Sequence, residues 1–80
     1  MPYILQERRA ALRTHANPSN AGELNYILTL VIKEYFVQHS NYQGINDIVG
    51  ALSACASEFY RRIVIPYENE KIKTNGDVYL

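Results

Sequence analysis

The 80-residue chain has no tryptophan, one cysteine and four scattered glycines, and its eight basic residues are balanced by eight acidic ones. One cysteine cannot form a disulfide within the chain, so the composition does not favour an oxidising compartment. Isolated glycines build no loop that cradles a phosphate. A formal net charge of +0 supplies no overall field that attracts nucleic acid or an acidic membrane. We therefore expect a single cytoplasmic domain over residues 1–80, without a membrane partner.

A chain of this length can bury only a thin core. Area scaling gives about 13,300 Å² of accessible surface for the unfolded chain and about 4,900 Å² for the folded one. A lone core of this size yields only about 3–5 kcal/mol, and small domains usually add disulfides, a metal ion or self-association. With one cysteine and no Cys/His cluster, the sequence favours self-association.

Helical patterns cover most of the chain and predict an all-α fold. A short extended arm, residues 1–4, precedes a first helix over residues 5 to about 15. Asn20 and Glu23 have the spacing of a capping box and should begin a second helix that runs to about Gln38. One face of this helix is apolar, because large hydrophobic residues recur three or four positions apart at Leu24, Ile27, Leu28, Val31, Tyr35 and Phe36.

The third helix carries a coiled-coil-like seam. It should begin between Tyr42 and Asp47, with either Asn41 or Asn46 as its cap. Apolar residues then alternate three and four apart at Ile45, Ile48, Leu52, Cys55 and Phe59. This position predicts that Cys55 is a small buried side chain in the seam and not a nucleophile.

The predicted lengths of helices two and three, about 27 and 30 Å, match those of an antiparallel hairpin. Helix three is apolar over more of its circumference than one partner can cover, so we expect a homo-oligomer that assembles through helix three. Pro66 cannot donate a hydrogen bond to Arg62, which predicts that the helix kinks or stops there. Residues 67–73 can form a further helical segment, and residues 77–80 are left as an extended tail. The extended ends, residues 3–4 and 78–79, could pair, within a chain or between chains.

Four stretches of the chain together resemble a known family. They are Met1-Pro2-Tyr3-Ile4 with Gln6-Glu7-Arg8-Arg9, Gly22-Glu23-Leu24-Asn25-Tyr26, Glu58-Phe59-Tyr60-Arg61-Arg62, and Pro66-Tyr67-Glu68 with Asn75-Gly76-Asp77-Val78-Tyr79. In these stretches the chain resembles a small family of uncharacterised proteins encoded in phage and prophage genomes. The resemblance supplies no catalytic or ligand-binding residue. It implies a setting, which is an accessory role for a phage in the cytoplasm of its bacterial host.

Arginine and tyrosine side chains near the end of helix three form the best candidate for a binding site. The candidate ligand-binding residues are Glu58, Tyr60, Arg61 and Arg62 on helix three with Asn25 and Tyr26 on helix two, close to Glu23. Arginine binds phosphate or carboxylate with two hydrogen bonds, and tyrosine stacks on a base, so the set fits a small anionic or nucleotide-like ligand.

Two other interpretations of these residues stay open. Glu58 and Arg62, four positions apart on a helix, have the spacing of a surface ion pair, while Tyr26 and Tyr60 fill the rim of the core. Alternatively, Arg61 and Arg62 of one subunit clamp a carboxylate of its neighbour.

No pattern in the sequence predicts catalysis, a metal site or a cofactor. Glu68 and Glu70 are two positions apart and do not share a helix face. His15 and His39 fall at predicted helix ends, where a protonated imidazole complements the helix dipole, and no Cys/His cluster joins them. The seven tyrosines favour recognition, because tyrosine is enriched at interfaces.

The sequence thus predicts a non-enzymatic binding protein. We expect it to act on a host protein or to sequester a small anionic ligand. One alternative is a purely structural assembly protein whose arginines and tyrosines serve only subunit contacts. The other is a nucleic-acid-binding protein, which the short basic stripe of Arg8, Arg9 and Arg13 does not favour.

Overall fold

The computed structural model describes residues 3–13 and 16–80, which form helices and turns with no strand among them. The all-α prediction is therefore confirmed for this part of the chain. Helix α1 spans Gln6–Leu12, α2 spans Ala21–Gln38, α3 spans Tyr42–Phe59 and α4 spans Ile65–Asn75. A π-helical turn over Tyr60–Val64 connects α3 to α4.

Both ends of the chain differ from their predictions. Helix α1 ends at Leu12, and the predicted cap His15 and the start of the arm at residues 1–2 lie outside the described residues. The tail is not extended, because residues 78 and 79 form a turn in which the Tyr79 N–H donates to Asp77 Oδ1 at 2.8 Å. Among the described residues of one chain, the two ends therefore do not pair as strands, and pairing between chains stays a prediction.

Two asparagines fix where α2 and α3 begin. The Glu23 N–H donates to Asn20 Oδ1 at 2.9 Å, so Asn20 caps α2 as predicted. The Glu23 carboxylate reaches back one residue further than in a capping box and accepts from the Ser19 N–H at 2.9 Å. The Gly44 N–H donates to Asn41 Oδ1 at 2.8 Å. Asn41 therefore caps α3, which begins at Tyr42.

The backbone of α3 comes closest to the end of α2 at Gly44, next to the His39 carbonyl group. This glycine is buried, and a Cβ atom built on it would lie 1.8 Å from the carbonyl oxygen of His39. No side chain fits in that space, so glycine lets the first turn of α3 press against the end of α2.

The chain stays helical from Tyr42 through Pro66 to Asn75. The Ile65 N–H donates to the Tyr60 carbonyl, five residues back, which widens the turn directly before the proline. A wider turn gives the proline ring the space that the carbonyl four residues earlier would otherwise occupy. The helix therefore does not stop at Pro66, and the kink stays a prediction. The longest dimension of the molecule, 49 Å, matches the roughly 50 Å expected of one helix of this span.

The helices enclose no core within one chain. None of the described hydrophobic side chains is buried, and the accessible surface is 7352 Å² where scaling gives about 4,900 Å². The radius of gyration is 16.7 Å, compared with roughly 12 Å for a compact chain of this length. The predicted burial of Cys55 is wrong for the single chain, because no helix covers that part of the α3 seam and the side chain is exposed.

Candidate functional site

An open apolar groove lies between α2 and α3. Its volume is about 470 Å³, and it is lined by Leu28, Val31, Ile32 and Tyr35 of α2 and by Asp47, Ile48, Ala51 and Leu52 of α3. Grooves of this size commonly take a small ligand or the side chains of a partner. We call this surface the α2/α3 groove.

The one charged group in the α2/α3 groove is already satisfied within the chain. Asp47 accepts hydrogen bonds from Gln43 Nε2 at 2.8 Å and from Tyr35 Oη at 3.0 Å. These two bonds, with that from Gln43 the stronger cause, lower the pKa of Asp47. The Asp47 carboxylate in turn raises the pKa of Tyr35, whose ring stacks on His39 with centroids 4.0 Å apart. The polar end of the groove thus needs no charge from a ligand.

A second polar cluster joins the amino-terminal arm to the end of α3. Glu58 Oε1 accepts from Arg61 Nη2 at 2.6 Å and from Tyr3 Oη at 2.8 Å. Both bonds, that from Arg61 foremost, lower the pKa of Glu58, and the Glu58 carboxylate raises the pKa of Arg61. The expected partner Arg62 acts on Glu58 through its charge alone, so the ion pair forms with the residue three positions on instead of four.

The other predicted ligand-binding residues do not join this cluster. Tyr26 and Tyr60 are 64% and 57% exposed, so neither fills the rim of a core within the chain. The Asn25 carbonyl accepts from Thr29 Oγ1 at 2.8 Å, and no hydrogen bond of the described residues links Asn25 or Tyr26 to Arg61 or its neighbours. A single chain thus brings together only Glu58 and Arg61 of the predicted set.

Sequence reasoning missed Tyr3, Tyr35 and Gln43 as polar partners. Gln43 and Asp47 lie four positions apart on α3, so helical spacing alone could have paired them. Tyr35 reaches Asp47 across a turn, and Tyr3 reaches Glu58 across most of the chain. Contacts at such separations leave no local pattern in the sequence.

A line of large apolar side chains continues beyond the α2/α3 groove along the long helix. Phe59, Ile63 and Tyr67 are 60%, 56% and 60% exposed. A π turn holds about one residue more than an α turn, so Ile63 and Tyr67 follow Phe59 on one face where regular heptads would place Arg62 and Pro66. We call these three residues the distal stripe.

Two kinds of site are absent from residues 3–13 and 16–80. No group of three His, Cys, Asp or Glu side chains lies where it could hold a metal ion. None of the helices in these ranges has the length and apolar character needed to cross a membrane.

Comparison with known proteins identifies a family but no activity. The family described as a domain of unknown function, DUF6899, matches residues 1–78, and the chain belongs to that family. The matched range includes both the α2/α3 groove and the distal stripe. No curated protein and no solved structure matches the chain.

Proposed function

We propose that this member of the DUF6899 family is a non-enzymatic binding protein whose working form is a homo-oligomer. The observation that carries the proposal is the accessible surface of 7352 Å² with no described hydrophobic side chain buried. This exceeds the surface of a compact chain by about 2,400 Å². A standard interface takes only about 800 Å² from each partner, and obligate dimers take more, so the excess suits an obligate assembly.

In the proposed assembly, α2 and α3 form an antiparallel hairpin and α3 supplies the main contacts between subunits. The Tyr35 to Asp47 hydrogen bond supports the hairpin, because it joins the two helices beside their connection. The uncovered seam of α3, with Cys55 exposed among small residues, supports its role as the interface. The predicted kink at Pro66 belongs to the same proposal and would turn α4 away from the hairpin beyond Ile63.

Binding of a small anionic ligand is a second candidate function, and one observation favours it. Among the described residues, Arg62 has no hydrogen-bond partner, whereas Arg61 is held by Glu58. A neighbouring subunit would bring Asn25 and Tyr26 to Arg62 to complete the site. The accessory role for a phage, with a host protein as target, belongs to the same proposal and rests on the resemblance alone.

Native mass spectrometry of protein purified gently from cells tests both candidates. An oligomer without added mass is the result expected of an assembly protein, and an oligomer with added mass identifies a retained ligand. For the ligand, Arg62→Ala should remove the added mass while Arg61→Ala keeps it. A monomer across micromolar concentrations would contradict the proposal.

A further inference from the structure

Two apolar surfaces of the same chain are exposed, and their shapes are complementary. The α2/α3 groove is a concave apolar surface, and the distal stripe is a convex row of exposed side chains whose Ile63 and Tyr67 lie on the part of the long helix that α2 does not contact. We propose that the distal stripe of one copy fills the α2/α3 groove of a second copy, and the reverse, in a two-fold dimer. This inference rests on the proposed function, because it specifies how the copies associate.

The chemistry of the two surfaces agrees. Apart from Asp47, the groove lining contains only apolar side chains and the ring of Tyr35. Hydrogen bonds from Gln43 and Tyr35 already satisfy Asp47, so a charged occupant would gain no partner and would lose its water. The three large side chains of the distal stripe are the kind of occupant that such a groove favours.

The lengths of the two surfaces also agree. The groove is formed by residues 28–35 of α2 and 47–52 of α3, which span about 10 and 8 Å at 1.5 Å per residue. The distal stripe, residues 59–67, spans about 12 Å on the same basis.

Two-fold symmetry follows from placing both surfaces on one rod. If the long helices of two copies run antiparallel, Ile63 of one lies near residue 50 of the other, and the axis passes near residue 56. Each interface then contains the same contact twice, as a closed dimer requires. The excess surface of about 2,400 Å² per chain is enough for such a dimer, because a standard interface takes about 800 Å² from each partner.

A charge complementation experiment tests the contact between groove and stripe. The Tyr35 to Asp47 hydrogen bond sets Val31 level with Ala51, next to the expected position of Ile63 from the other copy. Val31 and Ile63 are 60% and 56% exposed in the single chain, so a charge at either position does not disturb its helix. Val31→Lys alone and Ile63→Glu alone should each raise the dimer dissociation constant at least roughly 100-fold, because each buries two unpaired charges.

An equal mixture of the two variants should recover the dimer. In the heterodimer, one contact pairs the introduced lysine of the Val31→Lys chain with the introduced glutamate of the Ile63→Glu chain, and the other contact is unchanged. We expect its dissociation constant to return to within about tenfold of the wild-type value. Val37→Lys, at a 76% exposed site of α2 outside the groove, is the matched control and should leave the dimer intact. Sedimentation velocity measures all four samples, and circular dichroism checks their helicity.

Cross-linking of the native cysteine tests the antiparallel direction. Cys55 lies close to the proposed axis, so the two thiols are about 10 Å apart and a short bismaleimide should bridge them. In the control Cys55→Ser/Asn69→Cys, the two thiols are about 37 Å apart and should stay unbridged. Bridging at position 69 but not at Cys55 overturns the antiparallel arrangement.

The outcomes separate this inference from the proposed function. A wild-type monomer overturns both. A wild-type oligomer that ignores Val31→Lys and Ile63→Glu, or variants that fail to recover on mixing, overturns the groove and stripe contact and leaves self-association standing.

Discussion

At the scale of single residues, the close approach at Gly44 gives the sharpest prediction. Gly44→Ala places a methyl group against the His39 carbonyl and should lower the free energy of unfolding by about 1–3 kcal/mol. Gly50→Ala is the matched control, because no atom lies within 4 Å of its added Cβ. Alanine in an open helical position should raise the free energy of unfolding by about 0.5–1 kcal/mol. Urea unfolding followed by circular dichroism measures both, and equal effects would contradict the geometry.

The hydrogen bond from Tyr35 makes a prediction about pH. Tyr35→Phe should raise the pKa of Asp47 towards its ordinary value, though not fully, because the stronger bond from Gln43 remains. A lowered pKa in the folded state stabilises the protein above the ordinary carboxyl pKa and ceases to do so as pH falls through the lowered value. The variant should therefore lose less stability between neutral and acid pH than the wild type.

NMR titration of the Asp47 carboxyl carbon measures this change directly. Tyr42→Phe is the control, since Tyr42 is 77% exposed and is not one of the groups that shift the pKa of Asp47. If the pKa of Asp47 is the same in Tyr35→Phe as in the wild type, the tyrosine hydroxyl does not influence the carboxylate.

Local residues could be predicted from the sequence, and long-range partners could not. The cap of α2 by Asn20 is confirmed because both atoms of its hydrogen bond with Glu23 lie within one turn of chain. The predicted partner of Glu58 was wrong because helical spacing permits both the third and the fourth position. Tyr3 escaped prediction because its contact with Glu58 depends on where the arm lies in space.

At the scale of helices, Pro66→Ala tests the cause of the wide turn. The substitution restores an N–H donor and removes the ring, so residues 60–64 should relax to an ordinary α-helix. We expect the free energy of unfolding to rise by about 1–3 kcal/mol, as for proline removed from a helix. Amide hydrogen exchange and chemical shifts of residues 60–64 report the change. A wide turn that persists in the variant would show that the proline does not cause it.

The bounds of α2 and α3 follow from signals close to their ends, which explains why the sequence predicts them well. The π turn has no such signal. Proline predicts that the helical hydrogen bond to the carbonyl four residues earlier is lost. A kink, the end of the helix or a wide turn can each accommodate that loss. The sequence also predicted that Cys55 is buried in a seam, although the side chain is exposed in the single chain. The spacing of apolar residues predicts that a helix face is covered, but it does not indicate whether the same chain or another one covers it.

At the scale of the whole molecule, self-association predicts a melting temperature that depends on concentration. A tenfold increase in protein stabilises a dimer by about 1.4 kcal/mol and should raise Tm by a few degrees. Scanning calorimetry over a hundredfold range of concentration measures this shift. Val31→Lys should abolish the dependence at the low end of the range, and a wild-type Tm that does not change with concentration would contradict self-association.

The all-α class and the excess of apolar surface on α3 could both be inferred from the sequence. The arrangement of the helices could not, because the described residues bury no hydrophobic side chain and so offer no internal packing pattern to read. The candidate binding residues illustrate this, since among the described residues only Glu58 and Arg61 of that set are joined by a hydrogen bond.

The exposure of the apolar side chains also affects the rate at which the protein reaches its final state. Helices form within microseconds, so a newly made chain soon has its helical shape but keeps its apolar side chains in water. If only a second copy covers them, the last step of folding is an encounter whose rate rises with the square of concentration. The interval before that encounter is when proteases and non-specific aggregation compete for the chain. A higher rate of synthesis would then increase both the number of chains and the fraction of them that associates before it is degraded or aggregates.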